Sequence, residues 1–97
     1  MAFGYLLSPN YQLAPVSATD LVVKSAGGGA LIKVIVLVSG AGATDIQDVA
    51  SGHAGNVIFR VPATPAVGSV YNVELPVSFG IVVVGNAANS GLVIGYA

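Results

Sequence analysis

From Tyr71 to Phe79 the chain alternates strictly. Tyr71, Val73, Leu75, Val77 and Phe79 are apolar, and Asn72, Glu74, Pro76 and Ser78 stand between them. A period of two is the mark of a strand with one buried face. Gly80 interrupts it, and residues 81–84 are apolar at every position. Residues 70–84 therefore predict one long strand, kinked at Gly80, that passes from a half-exposed to a fully covered environment.

The rest of the chain supplies its partners. Residues 21–24 are short and β-branched. Residues 31–38, L-I-K-V-I-V-L-V, form an apolar run broken only by Lys33. Such a run needs cover on both faces, or an edge buried by a neighbouring subunit, and left bare it would be an aggregation hazard. Residues 43–49 read as a weaker strand with Ile46 and Val49 inward. In residues 57–61, Val57, Phe59 and Val61 share one face and Ile58 and Arg60 the other. Residues 92–97 close the chain. Turns rich in Gly, Ser, Asn and Pro separate these segments at residues 25–29, 39–42, 50–56, 62–69 and 86–91. No sustained helical period appears. The expectation is an all-β fold: a small antiparallel β-sandwich or jelly roll of about seven to eight strands. A closed small barrel is the alternative.

Residues 1–19 differ. Tyr5, Leu6, Leu7, Tyr11 and Leu13 alternate irregularly with Ser8, Pro9, Asn10 and Pro15, and there is no charge before Asp20. Prolines exclude a continuous helix and weaken a central-strand role. A solvated tail would be more polar. The expected organisation is an extended N-terminal arm over 1–19 and a β-sandwich domain over 20–97. The arm would pack on its own domain or on a neighbour, with a frayed terminus the alternative for residues 1–8.

Composition changes the picture in one respect. Of 97 residues only seven are charged: Asp20, Lys24, Lys33, Asp45, Asp48, Arg60 and Glu74. That 7% stands against about 25% in an average soluble domain. Hydrophobic residues make up 55%. A charge-poor, apolar surface points to work inside an assembly. The net charge is −1 and the three cations are scattered, so no nucleic-acid footprint exists. There are no cysteines to reinforce the core. Residues 76–97 carry no charge and are long enough to cross a bilayer, but their centre reads G-N-A-A-N-S-G. Two strands joined by a turn fit that better than a transmembrane helix, and no membrane partner is expected. The first residues lack a cationic segment and a sustained apolar core, so no signal peptide is expected.

Candidate chemistry is sparse. The single histidine, His53, lies near Asp45, Asp48 and Ser51. A catalytic triad needs its base held between nucleophile and carboxylate on a rigid scaffold, which an S-G-H-A-G loop does not provide. Asp45, Asp48 and His53 are the one conceivable metal set, but they lack the carboxylate number and spacing of a calcium loop. G-A-G-A-T-D from Gly40 lacks the third glycine of a dinucleotide fingerprint and no helix follows. No enzyme activity, metal or cofactor is expected.

Two strings, V-S-F-G-I-V-V-V at residues 77–84 and L-V-I-G-Y-A at residues 92–97, resemble those of small β-sandwich structural proteins of tailed-bacteriophage virions, capsid decoration or other minor head proteins. In that group an aromatic-Gly-hydrophobic step precedes the penultimate strand, matched here by Phe79-Gly80-Ile81-Val82, and the chain commonly ends on a strand with a tyrosine, matched by Val93-Ile94-Gly95-Tyr96. The hairpin that carries Asp-Gly in the group reads Gln47-Asp48-Val49 here. The resemblance covers residues 20–97. It implies a non-enzymatic virion protein, made in the host cytoplasm and placed on the capsid surface, whose partners are the major capsid protein and copies of itself. A head–tail connector, tail or fibre-base part, or a carbohydrate-binding sandwich, are the alternatives. The candidate interface residues are Tyr5, Leu6, Leu7, Tyr11 and Leu13 in the arm, Ile35 and Leu37 in the apolar run, and Ile81 and Val83 after the kink. For that last pair the cover is either the opposite sheet or another subunit.

Overall fold

The computed structural model describes residues 10–97. The strands are β1 (Asn10–Ala14), β2 (Leu21–Lys24), β3 (Ala30–Val38), β4 (Thr44–Asp48), β5 (Asn56–Val61), β6 (Val70–Pro76), β7 (Ile81–Val83) and β8 (Gly91–Tyr96). β1 pairs with β8, β2 with β7, β3 with β6 and β4 with β5, all antiparallel. The chain is thus a long hairpin of four strand pairs rolled over on itself. Further β3–β8 and β4–β7 pairing joins these pairs into two four-stranded sheets, β1-β8-β3-β6 and β2-β7-β4-β5. That winding is a jelly roll.

The core lies between the sheets. Leu31, Val34, Val36, Leu92 and Ile94 face inward from the first, and Val23, Ile46, Val61, Ile81 and Val83 from the second. Phe59 on β5 and Tyr71 on β6 close one flank, their rings 5.3 Å apart and tilted by 54°. Buried polar groups are paired. Thr44 Oγ1 accepts from the Ser90 N–H, Ser90 Oγ accepts from the Gly40 N–H, and Asn89 Nδ2 donates to the Val84 carbonyl. Such pairing keeps their burial from being destabilising.

Three sequence expectations need correcting. Residues 70–84 are not one kinked strand. β6 belongs to the first sheet and β7 to the second, and residues 77–80 carry the chain between them. The alternation also slips before that crossing. The three steps of β6 from Asn72 to Leu75 span the same interval as the two steps of β3 from Leu31 to Lys33, and Glu74 in the resulting bulge has φ +52°. Tyr71 and Val73 pack on the core, while Leu75, opposite Leu31 on this edge strand, stays 40% exposed. In β5 a bulge at Ile58 lets Ile58 and Phe59 both pack on the core and turns Val57 to solvent.

The 10–14 part of the arm is an integral strand of the first sheet, with Ala14 in the core. Residues 76–97 form a crossing, two short strands and a turn. Among the described residues no helix is long and apolar enough to cross a membrane.

Candidate functional site

The outward side of the first sheet carries the most distinctive surface. The registers place Leu13 opposite Val93, Val93 opposite Ile35, and Ile35 opposite Val70. One apolar row thus runs across all four strands. The next row reads Tyr11, Gly95, Lys33, Asn72, and holds the one cation of this face. Tyr11, Leu13 and Val70 are 56%, 55% and 51% exposed, and Leu37, two residues beyond Ile35, is also exposed. Side chains on one face of neighbouring strands stand about 5 Å apart, so these residues form a continuous patch and not scattered apolar points.

The candidate interface residues divide accordingly. Tyr11, Leu13, Ile35 and Leu37 come together on or beside this face. Ile81 and Val83 do not. Ile81 is fully buried and Val83 nearly so, and both pack between the sheets, where no other subunit reaches them. Tyr5, Leu6 and Leu7 lie outside the described residues. Val70 and Val93 complete the row but were not singled out from the sequence. Their place in it depends on cross-strand register.

The polar residues of the 45–53 region do not converge. Asp45 holds Arg60 on the neighbouring strand through two hydrogen bonds, at 2.5 and 3.1 Å. Asp48 turns to the opposite end of β4. Its carboxylate accepts hydrogen bonds from the backbone N–H groups of Ser78, Phe79 and Gly80 at 2.8–3.2 Å. His53 donates through Nδ1 to Asp20 at 2.9 Å. Among the described residues no group of three potential metal ligands forms.

These contacts have structural consequences. Three successive N–H groups make a concave anion site, filled here by the protein's own Asp48. It fixes the crossing at residues 77–80, which Val77 and Gly29 also pin by a backbone hydrogen bond of 2.9 Å. The Ser78 N–H first, with Phe79 and Gly80, holds the Asp48 carboxyl below its ordinary pKa against an opposing effect of burial. The Gly85 N–H first, then His53, does the same for Asp20.

The loop over residues 50–55 crosses the outer face of the second sheet. Gly55 donates its N–H to Gln47 Oε1 on β4, while His53 reaches Asp20, next to β2. β7 lies between those strands, so the loop passes over it. This explains why Val82, which points away from the core, has no exposed surface. The His53 tie is exposed, so His53→Ala should lower the melting temperature by no more than about 5 °C. It should nonetheless speed hydrogen exchange at the Gly55 amide. Unchanged exchange there would show that Gln47 alone holds the loop.

No protein-family model, curated protein or solved structure matches the chain.

Proposed function

We propose that this protein is a non-enzymatic virion component that decorates and cements a capsid shell. It binds the major capsid protein with the outward face of β1-β8-β3-β6 and sits on the capsid surface beside further copies of itself. The observation that carries this reading is the row Leu13-Val93-Ile35-Val70, an apolar band across a whole sheet face.

Charge allocation supports it. Asp20, Asp45, Asp48 and Arg60 are engaged in internal contacts. Lys24, Lys33 and Glu74 are left for the surface, few for a chain that must stay dispersed alone. Jelly rolls recur in viral capsid domains and also in lectins, so the fold supports the reading by analogy only. The cementing mechanism would be burial of apolar area, at about 25 cal/mol per Å², multiplied over many symmetric copies.

Ile35 is half-buried and faces outward, so Ile35→Asp should keep a cooperative thermal transition yet lose at least about tenfold in affinity for capsid shells in co-sedimentation. Undiminished binding would remove this face from the contact. A particle reconstruction in which this chain lies off the shell surface would end the decorating reading itself.

A further inference from the structure

The two sheets have four edge strands, β1, β6, β2 and β5. Edges expose unpaired backbone groups, and folded proteins usually guard them with bulges, charges or proline. Three of the four are guarded in this way. β6 carries a bulge, Glu74 and Pro76. β2 shifts register between Val22 and Lys24 and ends on that lysine. β5 carries a bulge and Arg60.

β1 has none of these devices. Its sequence is N-Y-Q-L-A, without charge, and it pairs with β8 in five consecutive positions with no shift. Among the described residues nothing pairs with its other edge. Pro9 and Pro15 bracket it, limiting any added strand to about these five residues.

We propose that β1 pairs with β1 of a second copy, antiparallel, about a two-fold axis through Gln12. Opposed residues in an antiparallel pair point to the same face, so only even register sums keep both cores on one side. The sum that pairs all five residues sets Gln12 against the second copy's Gln12. It also sets Tyr11 against the second copy's Leu13, and Asn10 against its Ala14. The two exposed apolar side chains of the strand, Tyr11 and Leu13, then cover one another as aromatic–aliphatic cross-strand pairs. Two four-stranded sheets become one of eight strands, and their apolar outer faces become continuous.

The inference rests on the capsid-decorating reading for the copies standing side by side, and it gives that reading a geometry. Four strands at about 4.8 Å and five residues at about 3.4 Å make a single face about 19 by 17 Å. That footprint falls well short of the roughly 800 Å² per partner of a standard interface, and pairing doubles it.

The chain has no cysteine, so introduced ones report without background. Under mild oxidation Gln12→Cys alone, or Tyr11→Cys mixed with Leu13→Cys, should give a disulfide-linked dimer on a non-reducing denaturing gel. These two sets occupy alternate positions, so one of them lies at the closer, non-hydrogen-bonded kind of site. Asn10→Cys alone should stay monomeric. The unmodified protein should sediment as two 9.6 kDa chains, and Leu13→Lys as one, with its thermal transition kept. A multimer that Leu13→Lys leaves intact, with no cross-link from either set, overturns the edge pairing and leaves the decorating role standing. A wild-type monomer that still coats capsid shells does the same. A monomer that binds no shell overturns both.

Discussion

Replacing Gly80 by alanine is expected to destabilise the fold by about 3 kcal/mol, a large share of the roughly 5–15 kcal/mol that holds a domain of this size together. A Cβ at this position would stand 2.4 Å from the Lys24 carbonyl oxygen and 2.7 Å from that of Val49. Both are backbone atoms, so neither swings aside as a side-chain tip would. Gly80 is where the chain enters the second sheet, wedged between the ends of β2 and β4, and relief of the clash must move one of those strands. Gly28→Ala is the control. Gly28 has φ +89° and nothing within 4 Å of the added Cβ, so it should lose only about 1 kcal/mol of backbone preference. Urea unfolding separates the two. With a slope of about 1.5 kcal/mol/M, the Gly80→Ala midpoint should fall by about 2 M and the Gly28→Ala midpoint by less than about 1 M. Equal midpoints would mean that close packing at the crossing does not limit stability.

Asp48→Asn is expected to lose about 2 kcal/mol at neutral pH and to flatten the acid side of the stability curve. The carboxylate binds three N–H groups, while an amide offers them one uncharged oxygen. Because Asp48 has a lowered pKa in the folded state, its contribution is present in full above the ordinary carboxyl value of about 3.9. It is lost as pH falls through the lower folded value. Asp20 acts in the same direction through Gly85 and His53. Wild-type stability should therefore drop below about pH 4. The Asp48→Asn curve should start lower at pH 7 and converge on the wild-type one in acid. Parallel curves across the whole range would show that the 78–80 N–H groups do not depend on the charge.

The strand segments were legible because apolar period and turn residues are local properties. Residues 21–24 form β2 as expected, and 31–38 form β3 with one residue added. The side-chain phase was less legible. A bulge at Ile58 or beside Glu74 is set by the register of the neighbouring strand, and period-two counting carries no trace of it. The role of Asp48 was hidden for a similar reason. It serves N–H groups thirty residues away, and proximity along the chain paired it instead with Asp45 and His53.

The contact surface follows the same division. Tyr11 and Leu13 could be read as interface candidates because they are apolar positions in an uncharged, proline-bearing arm, and Ile35 and Leu37 because they lie in a long apolar run that needs cover. Ile81 and Val83 looked equivalent in the sequence. The inward face of β7 put them in the core, and the 50–55 loop covered Val82 on the other side. The row Leu13-Val93-Ile35-Val70 draws one residue from each of four strands, from residue 13 to residue 93, and it comes into being only when the sheet assembles.

The amino-acid pattern was enough to establish a charge-poor, all-β chain of about seven to eight strands with turns in known places. Those features depend on residues within a few positions of one another. The tertiary structure alone decided that residues 70–84 divide between two sheets, which apolar side chains remain at the surface, and which edge is left unguarded. Each of these depends on which strand lies next to which, and the jelly-roll winding pairs segments that are distant along the chain.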